Sequence, residues 1–85
     1  TYIEGLKDYI KIYLKATTRP VITRMTMKSI EEKLIPYNFM RVHKSFIISL
    51  DKIVSIRNLK VMIENATIPI SEQNIDDLLT RIGSK

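Results

Sequence analysis

The residue types best able to do covalent chemistry lie close together in the middle of the chain. His43, Ser45 and Asp51 could supply a base, a nucleophile and an orienting carboxylate. The sequence around them has no glycine-rich elbow and no oxyanion site, and one histidine without cysteine cannot build a zinc site. We therefore expect a protein that is not an enzyme and that carries no metal or cofactor.

The basic residues offer a different chemistry, because they are concentrated in the first part of the chain. The net charge is +5, and residues 1–60 hold twelve Lys and Arg against five Asp and Glu, a surplus of +7. Residues 61–85 hold two basic residues against four acidic ones. A basic surface attracts polyanions such as nucleic acid, although a surplus of this size is equally typical of solubility charge.

Length and composition limit the chain to one small module. Its 85 residues, 45% of them hydrophobic, can bury one modest core. No apolar run of about 18 residues could span a bilayer, and the N-terminus lacks a signal-peptide pattern. We expect a single domain over residues 1–85 that works in the cytoplasm and has no membrane partner. The start at Thr1 rather than Met suggests a fragment of a longer protein.

The first half of the chain predicts strands followed by a helix. Strict alternation over Asp8–Ala16 indicates a half-buried strand with Leu14 on the core side. TYIE before it and VITR after it are expected to be neighbouring strands, the first joined through Gly5 in a positive-φ turn. Helical spacing then begins in MKSIEEKL, with Thr26 as the N-cap and Pro36 as the stop.

The second half predicts more short strands and a closing helix. FMRV, SFIISL, KIVSI, KVMIEN and ATIPIS are strand-like runs, the last restricted by Pro69 to a sheet edge or a bulge. EQNIDDLLTRIG predicts a helix that ends at Gly83, with one apolar face formed by Ile75, Leu78, Leu79 and Ile82. The predicted fold is therefore mostly β, an elongated meander or sandwich of short antiparallel strands with two short α-helices.

Taken in order, these segments resemble a known family. DYIKIYL, the helix ending SIEEKL, the run FMRVHKSFIISLDKIVSI and IPIS are similar to the LytTR-type DNA-binding domain, the output module of many bacterial response regulators. The most specific part is the run from Phe39 to Ile53, which follows the family's order of an aromatic residue, Arg, an apolar residue, His, a basic or polar residue, Ser, an aromatic residue and two apolar residues. The chain departs at Ser49, where the family usually has Asn, and at Glu72, where many members have Arg.

The resemblance implies a domain that binds duplex DNA with loops, entering two successive major grooves. Matched by position, the contact regions are KDY, HKS and SEQN, and the base contacts are expected from Tyr9, Lys44, Glu72, Gln73 and Asn74. Lys44 has the most suitable chemistry, because Lys can donate to guanine. An amide can pair with adenine, whereas Glu72 would repel phosphate but could accept from cytosine.

Contacts to the DNA backbone are expected from residues other than the five base-contact residues. We predict them for Lys7, Lys11, Arg24, Lys28, Arg41, His43, Arg57 and Lys60, part of which will be ordinary surface charge. Two roles stay open for His43: it could brace its turn through Ser45, or it could touch DNA directly.

The expected partner is promoter DNA with repeated half-sites. The resemblance also implies a receiver domain in the full-length chain and a dimer only in that protein or on DNA. Two alternatives stay open. One is a protein-interaction module that docks a partner on an exposed strand edge, and the other is a single-stranded nucleic-acid binder that stacks bases on Tyr9 and Tyr13.

Overall fold

The computed structural model describes residues 1–15, 18–63 and 66–83, which form two antiparallel sheets and two α-helices. The strands are β1 Tyr2–Gly5, β2 Ile10–Tyr13, β3 Val21–Thr23, β4 Phe39–His43, β5 Phe46–Ser49, β6 Ile53–Arg57, β7 Lys60–Ile63 and β8 Ala66–Pro69. The helices are α1 Met27–Leu34 and α2 Ile75–Gly83. The first sheet has the order β3-β2-β1-β5-β4 and the second the order β6-β7-β8. The predicted mostly β fold with two short helices is confirmed.

The first sheet is covered on both faces, which explains two adjacent buried isoleucines in β5. Ile47 and Ile48 are both fully buried, although neighbouring strand residues point to opposite faces. Ile47 packs in a cluster with Ile30 of α1, whereas Ile48 packs in a larger cluster with the second sheet and α2. Burying one such side chain stabilises the fold by about 1.5–3 kcal/mol. Strand β5 therefore packs against α1 on one face of the first sheet, and against the second sheet and α2 on the other face.

Helix α1 begins and ends where the sequence predicts. The side-chain oxygen of Thr26 accepts a hydrogen bond from the Ser29 amide at 3.1 Å, as an N-cap does. The α-helix ends at Leu34, and Pro36 lies in the 3₁₀ turn that follows. Ile30 is its buried residue, so α1 covers one face of the first sheet.

Strand β2 is shorter than predicted. It covers Ile10–Tyr13 rather than Asp8–Ala16, whose last residue lies outside the described residues. Leu14 is 46% exposed, so its placement on the core side was wrong. The ladder stops because Tyr13 already pairs with Tyr2, the first residue of β1.

Gly5 allows close packing rather than a positive φ. Among the described glycines none has a positive φ, so that prediction was wrong. A Cβ at Gly5 would lie 2.6 Å from Cγ and 2.8 Å from Sδ of Met27. The start of α1 therefore packs directly on the backbone at the end of β1.

Substituting Gly5 by alanine is expected to lower the free energy of unfolding by about 1–3 kcal/mol, because Met27 must move to admit the methyl group. Urea denaturation measures this loss. Gly83→Ala is the control, since nothing lies within 4 Å of a Cβ there. The loss of unfolding free energy caused by Gly5→Ala should be smaller in a Met27→Ala background. An equal cost in both backgrounds would contradict the close-packing explanation.

Helix α2 buries a narrower face than predicted. Leu78 is fully buried and Ile75 packs against the same cluster, but Leu79 and Ile82 are 48% and 39% exposed. The prediction that these last two residues belong to the buried face was wrong, because α2 enters the core through Leu78. The α-helix begins at Ile75, after a separate 3₁₀ turn over Glu72–Asn74. In the part of the chain that the structure describes, no helix is long and apolar enough to cross a membrane.

Candidate nucleic-acid interface

The β1–β2 and β4–β5 turns lie side by side at one end of the first sheet. Strands β1 and β5 are antiparallel neighbours, so β1 ends where β5 begins. The Gly5 amide donates a hydrogen bond to the Ser45 carbonyl at 2.7 Å. Within the β1–β2 turn, the Leu6 amide donates to the Tyr9 carbonyl at 2.8 Å. The KDY and HKS regions are therefore direct neighbours.

The third predicted contact region joins the same end from the other side. The Ser71 amide donates to the carbonyl of Val42, near the end of β4, at 2.8 Å. A second bond of 2.8 Å, from the Asn74 amide to the Ser71 carbonyl, closes the 3₁₀ turn. We call the three segments, residues 6–9, 44–45 and 71–74, the loop end. The fold thus brings together all three regions that the sequence predicted.

An open cleft of about 560 Å³ separates two of these segments. Its lining consists of Glu31, Arg41, His43, Lys44, Ser71, Gln73 and Asn74. Three of the predicted base-contact residues, Lys44, Gln73 and Asn74, therefore share one cleft. Tyr9 and Glu72 are exposed at the loop end but are not part of this lining.

The β4–β5 turn is held by hydrogen bonds to its backbone. The Lys44 carbonyl accepts a bond from Nη2 of Arg41 at 2.6 Å, and the Ser45 carbonyl accepts from the Gly5 amide. The Ser45 amide donates to Nδ1 of His43 at 3.0 Å. The side chain of Lys44, by contrast, is exposed. The turn therefore presents a lysine on a backbone that is fixed in advance.

His43 has the bracing geometry that was one of its two expected roles. Besides accepting from Ser45, its ring packs edge-on against Phe46 with 5.7 Å between centroids. When Nδ1 accepts, the neutral ring carries its proton on Nε2, which remains available as a donor. A contact between His43 and DNA stays a prediction.

Arg41 is engaged within the protein. Nη2 bonds the Lys44 carbonyl, and Nη1 lies 3.6 Å from Oε1 of Glu31. Nε is buried and has no hydrogen-bond partner among the described residues. Sequence reasoning missed Glu31, because the residue belongs to α1 and no local pattern links that helix to the turn. The predicted phosphate contact of Arg41 must therefore compete with an internal one.

Four further basic residues lie in the β1–β2 turn or next to it. They are Lys7, Lys11, Arg24 and Lys28. Thr23 at the end of β3 pairs with Ile10 at the start of β2, so the chain leaves β3 at the loop end. The start of α1 reaches the same place through its packing on Gly5. This side of the loop end therefore carries the positive charge that phosphate contacts need.

Arg57 and Lys60 approach the loop end from the second sheet. They flank a two-residue hairpin turn in which Asn58 and Leu59 have φ values of 49° and 60°, as in a type I′ turn. The Leu59 carbonyl accepts a hydrogen bond from the Ile70 amide at 2.8 Å. This hairpin therefore lies next to the third loop-end segment. Pro69 lies in β8 at the edge of the second sheet, one of the two places predicted for it.

Tyr13 is already stacked within the protein. Its ring lies on that of Tyr2 with 4.3 Å between centroids and 12° between planes, and its hydroxyl donates to Oε1 of Glu4 at 3.3 Å. Burial, and then the nearby Glu4 carboxylate, raise the pKa of the Tyr13 phenol. One face of this ring is thus unavailable to a base, whereas Tyr9 is 46% exposed.

Comparison with solved structures defines the class of fold. The chain is similar to the LytTr DNA-binding domain of a Bacillus cereus protein described as a methyl-accepting/DNA response regulator. The TM-score is 0.80 at 18% sequence identity, and the match covers 98% of this chain and 80% of that one. A search of curated proteins finds no match.

The family follows from the sequence. The model of the LytTr DNA-binding domain matches residues 1–83, so the chain belongs to that family, as the resemblance implied. This is a family of DNA-binding domains rather than of enzymes. Membership supports DNA binding and transcription regulation as the function.

Proposed function

We propose that this domain reads duplex DNA in a sequence-specific way as the output domain of a bacterial, cytoplasmic response regulator. The loop end enters two successive major grooves, and Tyr9, Lys44 and the Glu72–Asn74 turn contact base edges. The observation that carries the proposal is the hydrogen bonding that joins the three loop-end segments. Three adjacent segments on a rigid sheet give a continuous contact surface.

The size of the domain supports contact with two grooves. Successive major grooves on one face of B-DNA are about 34–36 Å apart. The longest dimension of the domain is 36 Å. A domain whose long axis lies along the duplex therefore spans one groove-to-groove distance.

The charge distribution supports a phosphate grip around the base contacts. The predicted backbone-contact residues surround the loop end, on α1, on the first sheet and on the β6–β7 hairpin. Phosphate contacts fix the register of a protein on DNA, and base contacts then discriminate. In the full-length protein, a receiver domain and a dimer would place two such modules on repeated half-sites.

Binding to duplex DNA with a steep salt dependence is the expected result. Fluorescence anisotropy with a labelled 30-base-pair duplex should give a log–log slope between about −4 and −7, if four to eight phosphates are neutralised. The same strand unpaired, and an RNA of the same sequence, are the controls. Equal or tighter binding to either single strand would contradict the duplex proposal.

A protein-interaction role is the second candidate, favoured by one exposed edge. Strand β3 lies at the edge of the first sheet, and its Val21 and Ile22 are 46% and 60% exposed. An extended partner could add a strand there. Lack of retention on DNA and heparin, together with a stable protein complex, would favour this candidate over DNA binding.

A further inference from the structure

We propose that Glu31 holds the Arg41 guanidinium in the free domain and thereby withholds it from phosphate, so that Glu31 limits the affinity of the loop end for polyanions. For DNA this inference rests on the proposed function. It extends to any sulfated or phosphorylated polymer that enters the cleft.

Glu31 lies close to the residues that are proposed to contact DNA. Glu31 and Arg41 both line the cleft that also contains Lys44, Gln73 and Asn74. Glu31 reaches this cleft from α1, and a smaller cleft next to it is also lined by both Glu31 and Asn74. A carboxylate here faces the space where the phosphate backbone must pass if the neighbouring residues contact bases.

The ion pair between Glu31 and Arg41 is weak. Nη1 of Arg41 and Oε1 of Glu31 are 3.6 Å apart, longer than a charge-assisted hydrogen bond. The two side chains are 31% and 34% exposed, so water screens their attraction. A phosphate with two oxygens available could therefore replace the carboxylate at low cost.

A separate hydrogen bond keeps Arg41 in place after such an exchange. Its Nη2 bond to the Lys44 carbonyl, at 2.6 Å, does not involve Glu31. The guanidinium would thus stay at the cleft with Nη1 released. Nε is buried without a partner in the described ranges, so the present arrangement leaves one donor unsatisfied. Arg41 is therefore anchored on one side and weakly held on the other.

The test compares two variants of equal net charge, Glu31→Gln and Glu32→Gln. Glu32 is the next residue of α1, is exposed, and is not part of the cleft lining. At about 0.1 M salt, Glu31→Gln should bind duplex DNA about threefold to tenfold more tightly than the parent. Its log–log salt slope should steepen by about 0.9, the value of one added phosphate contact. Glu32→Gln should stay within about twofold of the parent, with an unchanged slope, because an exposed charge outside the cleft is screened.

Elution from a heparin column separates this inference from the proposed function. Glu31→Gln should elute at higher salt than Glu32→Gln, whether or not the parent binds DNA. If the parent fails to bind duplex DNA, the proposed function fails, and the order of elution still decides the role of Glu31. If the two variants elute together and bind DNA equally, the inference on Glu31 is overturned while duplex binding stands.

A variant of Arg41 tests whether Glu31 acts through that residue. In an Arg41→Gln background, Glu31→Gln should bring no gain in heparin retention. A gain as large as in the parent would mean that Glu31 acts by direct repulsion, and would overturn the inference. If Arg41→Gln loses its far-UV circular dichroism, the Arg41 Nε–H signal of Glu31→Gln replaces it. That signal should shift on heparin addition, and an unchanged signal would overturn the inference.

Discussion

Replacing Leu78 by alanine is expected to lower the free energy of unfolding by about 2–5 kcal/mol, the range for truncating a buried leucine. Leu78 is fully buried in the larger core cluster, against the second sheet and β4. It is the buried residue of α2. A domain of this size is stable by roughly 5–10 kcal/mol in total. The variant should therefore lose a large share of its stability, measured as a lower midpoint in urea.

The neighbouring leucine provides a matched control. Leu79 is 48% exposed on the same helix, and its replacement by alanine removes the same atoms without emptying a core site. We expect Leu79→Ala to cost less than about 1 kcal/mol. Equal losses for the two variants would contradict the observed packing of α2. The packing of Leu78 also matters for the candidate site, because α2 directly follows the Glu72–Asn74 turn at the loop end.

Hydrophobic periodicity predicted the elements better than it predicted their exposure. Alternation correctly predicted β2, but not that the strand stops at Tyr13, because its length is set by the partner strand β1. The helical spacing of Leu78 and Leu79 predicts a common apolar face. Only the packing of α2 shows that Leu78 alone of the two is buried.

Most of the features that the sequence did not predict come from pairing between strands that are distant along the chain. The first sheet places β1 between β2 and β5, and this pairing joins turns that are far apart in sequence. The burial of both Ile47 and Ile48 follows from layers on either side of that sheet. No local pattern predicts that both faces are covered. The alternation of a strand separates its two faces, but it does not show which other elements pack on each face.

The candidate site was predictable where a motif carried it and not where two elements meet. The turn with Lys44 at its tip lies within the one run of the sequence that most resembles the family. The bond from Arg41 to the Lys44 carbonyl is within the same run but depends on the side-chain conformation. The ion pair of Glu31 with Arg41 depends on α1 lying beside β4, and the sequence does not predict that packing.

Replacing Lys44 by alanine is expected to weaken binding to the preferred duplex by about 1–3 kcal/mol, the range for a good base contact. Lys44 is exposed at the tip of a turn whose backbone is fixed by Arg41, Gly5 and His43. Little backbone entropy is therefore lost when the ammonium meets a base edge, and the remaining cost is the ordering of the lysine side chain itself. Selection from a randomised duplex pool provides the preferred duplex, and anisotropy titrations measure the loss.

The matched control for Lys44 lies at the other end of the same strand. β5 begins just after Lys44 and ends just before the 3₁₀ turn that contains Lys52, which is also exposed. Lys52→Ala removes the same charge from the end of the sheet opposite the loop end, so its binding should stay within about twofold of the parent.

Base reading and phosphate contact make different predictions for Lys44. If Lys44 contacts a phosphate, Lys44→Ala should lose the same amount of affinity for every duplex, and the magnitude of its log–log salt slope should fall by about 1. A base contact would be lost mainly on the preferred sequence, so the ratio of affinities for preferred and scrambled duplexes would shrink. We expect the second result, because Lys44 shares its cleft with the amide side chains of Gln73 and Asn74, which suit base edges. An unchanged ratio in Lys44→Ala would exclude Lys44 as a base reader and leave recognition to the Glu72–Asn74 turn and Tyr9.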